Sequence, residues 1–147
     1  MNAKSILCPI DFSPASMAAL RLAVEEAKLR NARLDLLHVW EPGLEYTGEE
    51  SPPIPFAAEF PRQRIESDLA SLPIDLPAEQ IRTHATAGDT RHDIVETAKQ
   101  LGSELVVMGT HAHHGLSHWI IGSVCEDVLR RCTCPVLICR GPEKPDQ

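Results

Sequence analysis

The sequence of 147 residues predicts one α/β domain, a mostly parallel β-sheet covered by helices. Short apolar runs of strand type alternate along the chain with longer segments whose apolar residues recur at helical spacing, and this alternation is typical of βαβ units. The composition, 43% hydrophobic and 24% charged residues, is that of a globular domain rather than a disordered chain.

The first predicted strand is the apolar run at residues 4–10. A helix follows, because Ser13-Pro14 places an N-cap residue before a proline at the first helical position. Apolar residues then recur at helical spacing as far as Asn31, which suits the end of that helix. Residues 33–40 (RLDLLHVW) form the second predicted strand, in which we expect His38 to be a hydrogen-bonded core histidine.

Residues 41–61 are predicted to form a long loop, because they are rich in proline and glycine. A helix resumes near Pro61, and Pro73 and Pro77 close it. The third predicted strand, residues 80–87, is less apolar than the others, so we place it nearer an edge of the sheet.

Gly88-Asp89 is predicted to turn the chain and cap a third helix, which ends at Gly102. The run at residues 104–108 (ELVVM) has the strongest strand character in the chain. Because four of its five residues are apolar, it is predicted to be a buried strand.

A loop then leads to Gly122, after which Ser123 and Glu126 match the pattern of a capping box. We therefore predict a fourth helix with Ser123 as its N-cap. The last strand is predicted at residues 135–139, before a polar tail at residues 141–147.

The charge balance excludes some classes of partner. The chain has 14 basic and 21 acidic residues, a net charge of −7, which argues against binding a nucleic-acid polymer or an anionic membrane. It does not argue against one small anion, since backbone N–H groups and a helix N-terminus hold phosphate without a cation. No targeting segment is visible, because the first apolar run is short and contains Pro9, and we expect a cytoplasmic protein.

The cysteines are expected to be reduced thiols, because their number is odd and a cytoplasmic chain rarely carries disulfides. For Cys132 and Cys134, two residues apart, ordinary packing is favoured over a disulfide or a metal site. The five cysteines are Cys8, Cys125, Cys132, Cys134 and Cys139.

Ligands of open α/β sheets bind beyond the carboxyl ends of the strands. Asp11 follows the first predicted strand, Val39 lies near the end of the second, and Gly109 follows the fourth. Gly109 and Gly122-Ser123 would let backbone groups approach an anion. They would equally serve as turn glycines and a helix cap, and from periodicity both interpretations stay open.

The spacing of these residues resembles a known motif. Gly109-x-x-Ala112, nine residues and then Gly122-Ser123 is similar to the G-x-x-G-x9-G-[ST] nucleotide motif of universal stress proteins. The segments LCPIDFSPAS, LDLLHVW and CPVLIC are similar to the opening, second and closing strands of that family. The resemblance covers about residues 4–140 and is most specific at 104–138.

The resemblance implies a doubly wound, Rossmann-like domain with helices on both faces and a five-stranded parallel sheet in the order 3-2-1-4-5. It implies a homodimer, formed through the last strand at residues 135–139, and an adenine nucleotide, ATP with Mg²⁺. The implied nucleotide-binding residues are Pro9, Ile10, Asp11, Val39, Met108, Gly109, His111, Ala112, Gly122, Ser123 and Val124.

Ala112 departs from the motif, because it stands where the family has its second glycine. If that residue must be left-handed, alanine costs roughly 1–2 kcal/mol. The same loop has no Lys or Arg but four histidines, and phosphate contact, a transition-metal site and solvent exposure are all open to them. We favour solvent or loose phosphate contact over a metal site. These histidines are His111, His113, His114 and His118.

Several enzyme classes lack their motifs here: there is no P-loop, no dinucleotide fingerprint and no G-x-S-x-G. We expect no dedicated catalysis, and at most slow ATP hydrolysis. The leading hypothesis is an ATP-binding regulatory module of the stress response. The alternatives are a dimeric scaffold for an unidentified protein partner and, more weakly, a metal-responsive protein that uses the histidines.

Overall fold

Five strands form one parallel sheet in the computed structural model, which describes residues 3–42, 60–110 and 121–142. Their order across the sheet is β3-β2-β1-β4-β5, which confirms the predicted order and places the third strand at an edge. The strands are β1 at Ser5–Pro9, β2 at Arg33–Trp40, β3 at Ile81–Ala87, β4 at Ser103–Thr110 and β5 at Val136–Arg140.

Helices cover both faces of the sheet, as predicted. Two of them pack with Ile6, Cys8 and Val107 in one core cluster, and the other two pack with Leu7 and Val106 in a second. Neighbouring residues of β1 enter different clusters because side chains alternate between the faces of a strand. The first pair is α1 at Pro14–Arg30 and α2 at Arg62–Ala70, and the second is α3 at Thr90–Leu101 and α4 at Ser123–Arg131.

The caps of α1 and α3 follow the predicted chemistry. The Ser13 hydroxyl accepts from the backbone N–H of Ser16 at 3.2 Å, and the α1 cap residue Asn31 is left-handed with φ 50°. Asp89 caps α3 in the same way, and Gly102 ends it in a left-handed conformation. A short 3-10 helix at Ala78–Gln80, which the sequence analysis did not predict, precedes β3.

The predicted start of α4 is wrong by one residue. Gly122 is the N-cap and Ser123 is already helical, so the capping box with Glu126 does not form. The physical reason is the φ of +87° at Gly122, a conformation that glycine adopts far more readily than serine. β4 also runs past its predicted end at Met108, because Gly109 and Thr110 pair with β5.

The strand order creates a switch point between β1 and β4, where successive connections leave the sheet in opposite directions. The first turn of α1 lies against β4 there, since a Cβ on Gly109 would collide with the carbonyl of Ala15. No helix in the described parts of the chain is long and apolar enough to cross a membrane. Most of the predicted loop at 41–61 and of the tail at 141–147 lies outside the described residues.

Candidate nucleotide site

A cleft of about 420 Å³ opens at the carboxyl edge of the sheet, beside the switch point. Its volume lies within the usual range for sites that bind small organic molecules. Two of the predicted site residues, His111 and Ala112, lie outside the described residues. The other nine all line this cleft: Pro9, Ile10, Asp11, Val39, Met108, Gly109, Gly122, Ser123 and Val124.

One side of the cleft is the start of α4, which differs from the other helix starts there. The N-terminus of α1 is capped by Ser13. That of α3 is capped by Asp89, and its Thr90 N–H donates to the Glu41 carboxylate at 2.7 Å. Among the described residues, no side chain caps α4. Its first N–H groups, at Ser123 and the residues after it, therefore have no capping side chain from the described parts of the chain, and N–H groups in such a position are suited to bind an anion.

The opposite side presents the backbone of Val39. The Leu37 carbonyl accepts from Ile10 on the β1 side of β2, whereas the Trp40 carbonyl accepts from Gly88 on the β3 side. Because the backbone groups of successive residues point to alternate sides of a strand, those of Val39 point to the β1 side. β1 has ended at Pro9, so the amide and carbonyl of Val39 face the cleft instead of a paired strand.

The turn after β1 is tightly organised. Asp11 accepts from the N–H of Ser13 at 2.9 Å, and Phe12 is left-handed with φ 62°. The Phe12 ring lies 5.4 Å from that of His38. His38 Nδ1 is 2.7 Å from the Ile10 carbonyl, and since a carbonyl only accepts, Nδ1 carries the hydrogen. The predicted hydrogen bond of His38 is thus present, but its predicted core position is wrong, because His38 is half-buried and lines the cleft.

The described lining of the cleft contains one acidic side chain, that of Asp11, and no Lys or Arg. Burial raises the pKa of the Cys125 thiol, which therefore stays neutral and lies 3.5 Å from the Gly109 carbonyl. An acceptor such as Asp11 suits hydroxyl or amino groups and repels phosphate. Phosphate therefore fits the α4 end, and a sugar or base fits the Asp11 end.

Glycine is required at motif positions 109 and 122 for different structural reasons. Gly109 leaves room for the backbone of α1, whereas a Cβ on Gly122 would meet only Thr110 Oγ1 at 3.6 Å. Gly122 is needed for its positive φ. The sequence analysis had left open whether these glycines approach an anion or make turns, and for Gly109 the close neighbour is Ala15.

Several lining residues were not predicted as site residues. The signal that could have found two of them, Ser13 and Thr90, is their position at helix starts just after strand ends. Thr110 donates to the Ile121 carbonyl, a contact between residues 11 positions apart. No local sequence pattern indicated that the other missed residues would line the cleft. The missed polar residues are Ser13, Ser16, His38, Thr90, Thr110 and Cys125.

The four histidines proposed as metal ligands (residues 111, 113, 114 and 118) lie outside the described residues. Within residues 3–42, 60–110 and 121–142, no three His, Cys, Asp or Glu side chains are grouped to hold a metal ion. A Mg²⁺ ion at the cleft would therefore take most of its ligands from a bound phosphate and from water, which is how Mg²⁺ commonly binds.

Comparison with known proteins identifies the family. The universal stress protein family model matches residues 2–140. Universal stress protein A homolog 1 of Coxiella burnetii is 39% identical over 144 residues, covering 93% of this chain and 96% of that protein. This identity extends over nearly the whole of both chains, well beyond the motif region.

Solved structures share the fold. A universal stress protein in complex with cAMP has a TM-score of 0.62 at 21% identity, covering 97% of this chain and 100% of that one. The universal stress protein of Archaeoglobus fulgidus in complex with dAMP has a TM-score of 0.60 at 22% identity, covering 95% and 99%. With its sheet order, its switch-point cleft and the match over residues 2–140, this chain belongs to the universal stress protein family.

Proposed function

We propose that this protein binds an adenine nucleotide in the switch-point cleft and acts as a regulatory module in a stress response. The observation that carries the proposal is the uncapped start of α4, which lies across the cleft from the backbone of Val39. One end of the cleft thus suits phosphate, and the other suits the edge of a base. Universal stress proteins have been solved with cAMP and dAMP, which supports an adenine ligand here.

The proposed binding residues fall into three groups, which contact the adenine, the ribose and the phosphates. Adenine lies against Ile10 and Met108 and makes hydrogen bonds to the backbone of Val39. Asp11 accepts from the ribose hydroxyls, and the phosphates bind the N–H groups of Gly122-Ser123 and Val124. His111 and Ala112 belong to the loop that we assign to the phosphates. None of these contacts needs a positively charged side chain.

ATP with Mg²⁺ is the first candidate ligand, and its charge makes the metal important. A triphosphate carries several negative charges, and the cleft offers the partial positive charge of one helix N-terminus but no described Lys or Arg. When bound, Mg²⁺ supplies the missing positive charge. We therefore expect ATP to bind at least about tenfold more weakly in the presence of EDTA, a loss of about 1.4 kcal/mol.

The first experiment denatures the purified protein and identifies any nucleotide that it releases. Stripped protein is then titrated calorimetrically with ATP, ADP, AMP and cyclic AMP, each with Mg²⁺ and with EDTA. Stoichiometric release of an adenine nucleotide, or micromolar binding, supports the proposal. Equal affinity of ATP with and without Mg²⁺ contradicts the charge argument, and no binding at millimolar ligand contradicts the nucleotide site itself.

A second candidate is a dimeric scaffold that works through a protein partner without nucleotide. The observation that favours it concerns Gly109. The close backbone of Ala15 is enough to explain why this position is a glycine, so no bound ligand is needed to explain it. The discriminating variant is Ala112→Gly, which restores the motif. If neither the wild type nor this variant binds adenine nucleotides at millimolar concentration, the scaffold function replaces the nucleotide module.

We propose a cytoplasmic location and no dedicated catalysis, with slow ATP hydrolysis as the most that the cleft supports. The metal-responsive alternative is tested by equilibrium dialysis with Zn²⁺ or Ni²⁺, comparing the wild type with a His113→Ala/His114→Ala variant. Equal metal uptake by the two proteins removes this alternative.

A further inference from the structure

Two thiols lie side by side in the connection between α4 and β5. The Sγ atoms of Cys132 and Cys134 are 3.7 Å apart, and both side chains are half-buried. Cys132 follows α4 with an extended backbone, ψ 136°. Side chains two residues apart on an extended backbone project to the same side, and a bend at residues 133–134 brings these two closer.

Cys132 and Cys134 pack against the core as predicted, and the connection can also reach the geometry of a disulfide. Two residues span at most about 7 Å of Cα–Cα distance when extended, and a bend shortens this toward the 4.4–6.8 Å that disulfides use. The sulfurs must still approach to about 2.05 Å, which requires side-chain rotation and a local backbone shift. The bend residues 133–134 belong to neither α4 nor β5, and the flanking backbone bonds, from Cys132 to Val128 and from Val106 to Pro135, lie on either side of the bend.

The pair differs from Cys8 and Cys125 in access, and from Cys139 in its position relative to the sheet. Cys8 and Cys125 are buried, at 0% and 4% exposure. Cys139 is half-buried, but it packs against the core on the α1 side of the sheet, whereas Cys132 and Cys134 pack against the core on the α4 side. The pair is therefore two adjacent accessible thiols, separated from Cys139 by the sheet.

We infer that Cys132 and Cys134 form a thiol–disulfide exchange site for low-molecular-weight disulfides such as glutathione disulfide. The Cys132 thiolate attacks one sulfur of glutathione disulfide, forms a mixed disulfide and displaces one glutathione thiolate. The Cys134 thiolate then attacks the Cys132 sulfur and displaces the second glutathione. The two protein thiols lose two electrons and two protons, and glutathione disulfide is reduced to two molecules of glutathione.

The order of attack follows from the surroundings of Cys134. Burial, and then the contact with Cys132, raises the pKa of the Cys134 thiol to about 11, so little of it is thiolate at neutral pH. We therefore assign the first attack to Cys132, and ring closure by Cys134 accelerates as the pH rises. This exchange does not depend on nucleotide binding in the switch-point cleft.

The test incubates reduced full-length protein with excess glutathione disulfide, alkylates the remaining thiols and digests with trypsin. Cleavage after Arg131 and Arg140 releases residues 132–140, which contain three of the five cysteines. We expect this peptide to lack two hydrogens, to carry one alkyl group, and to recover both thiols after dithiothreitol. Cys134→Ser is expected to retain one glutathione on Cys132, since nothing displaces it.

Cys139→Ser is the matched control, because it removes the third cysteine of the same peptide and leaves the pair intact. It is expected to form the internal disulfide as readily as the wild type. Loss of the disulfide in this variant shows pairing with Cys139 and overturns the inference. A glutathione adduct that persists on the wild-type protein also overturns the inference. The same holds if the native protein does not react with glutathione disulfide whereas the urea-unfolded protein does.

Discussion

Gly122 is the residue on which the proposed phosphate site most depends. Its backbone has φ +87° and ψ 146°, close to a region that is occupied almost only by glycine. A Cβ there would meet nothing closer than Thr110 Oγ1 at 3.6 Å, so space is not the constraint. The constraint is conformational, and it sets how the first N–H groups of α4 face the cleft.

We expect Gly122→Ala to lower stability by about 1–2 kcal/mol, because alanine is strained at this φ. The same strain is relieved by rotating the backbone at the start of α4, which moves the N–H groups that we assign to phosphate. Nucleotide affinity is therefore expected to fall tenfold or more, as measured by calorimetric titration.

Gly102→Ala is the matched control for this experiment. Gly102 also has a positive φ, +61°, but it caps α3 and does not line the cleft. We expect a loss of stability of about 1–2 kcal/mol, because alanine is strained at a left-handed φ, and an unchanged nucleotide affinity. Undiminished affinity in Gly122→Ala, or an equal loss of affinity in both variants, would contradict the assignment of α4 to phosphate.

At the scale of the elements, a buried polar network joins four strands. Asp35 of β2 is completely buried, and its carboxylate accepts from Ser5 of β1 at 2.6 Å and from His84 of β3 at 2.8 Å. Arg33 Nε lies 2.9 Å from the same carboxylate, and Ser5 contacts Ser103 of β4. A buried carboxylate persists in a sheet only when it is paired in this way.

The network makes the stability of the sheet dependent on pH. Burial opposes the ionisation of Asp35, but hydrogen bonds from His84, Ser5 and Arg33 outweigh it and hold the pKa of the carboxyl below its usual value. A carboxyl with a lowered folded pKa stabilises the fold above its unfolded pKa, about 3.9, and loses this as pH falls through the folded pKa.

We therefore expect Asp35→Asn to cost about 3 kcal/mol or more at pH 7, because it leaves buried donors without a charged acceptor. The difference between the wild type and the variant is expected to shrink below about pH 4. Urea unfolding at pH 7, 5 and 3 measures both effects.

Asp75→Asn serves as the control, since Asp75 pairs with Lys28 at 2.8 Å on the surface, where solvent screens the pair. We expect a much smaller change in urea midpoint for it than for Asp35→Asn. A constant difference between wild type and Asp35→Asn from pH 7 to pH 3 would show that the charge of Asp35 does not contribute.

At the scale of the whole molecule, the edge strand β5 is the candidate dimer surface. The amide of Val106 donates to the Pro135 carbonyl, and the amide of Gly141 donates to the Thr110 carbonyl, so odd-numbered residues of this segment face β4. The backbone groups of Ile138 consequently point away from β4, toward the edge of the sheet. The side chains from Val136 to Cys139 are only half-buried in the single chain.

We expect the wild type to be a dimer and Ile138→Pro to be a monomer. Proline removes an N–H that points out of the sheet, and edge strands tolerate proline at such positions. Light scattering measures the mass, and circular dichroism checks that the variant is folded.

Ile138→Ala separates the loss of the N–H from the loss of the side chain, because alanine keeps the amide. We expect this variant to remain a dimer, with some loss of stability from its shortened side chain. A dimeric Ile138→Pro would place the interface elsewhere on the molecule.

The sequence by itself determined the helices, the strands and the family. Alternating apolar runs, the serine and aspartate caps of α1 and α3, and the left-handed Asn31 and Gly102 are local signals that each element carries in its own residues. The motif spacing was also local, and the family resemblance that it supports implied nine residues that line one cleft. The start of α4 was mispredicted, because either Gly122 or Ser123 could be the N-cap, and the positive φ of Gly122 that decides between them is not visible in the sequence.

The tertiary structure alone decided how these elements meet. Three contacts join distant parts of the chain: the Ala15 backbone lies against Gly109, the Ile10 carbonyl accepts from His38 Nδ1, and Asp35 accepts from Ser5 and His84. Ser5 and Ser103 are 98 positions apart, yet their hydroxyls touch. The periodicity of apolar residues indicates which face of a helix or strand is buried. Which residues of other elements pack against that face depends on the tertiary structure, and so does the shape of the cleft.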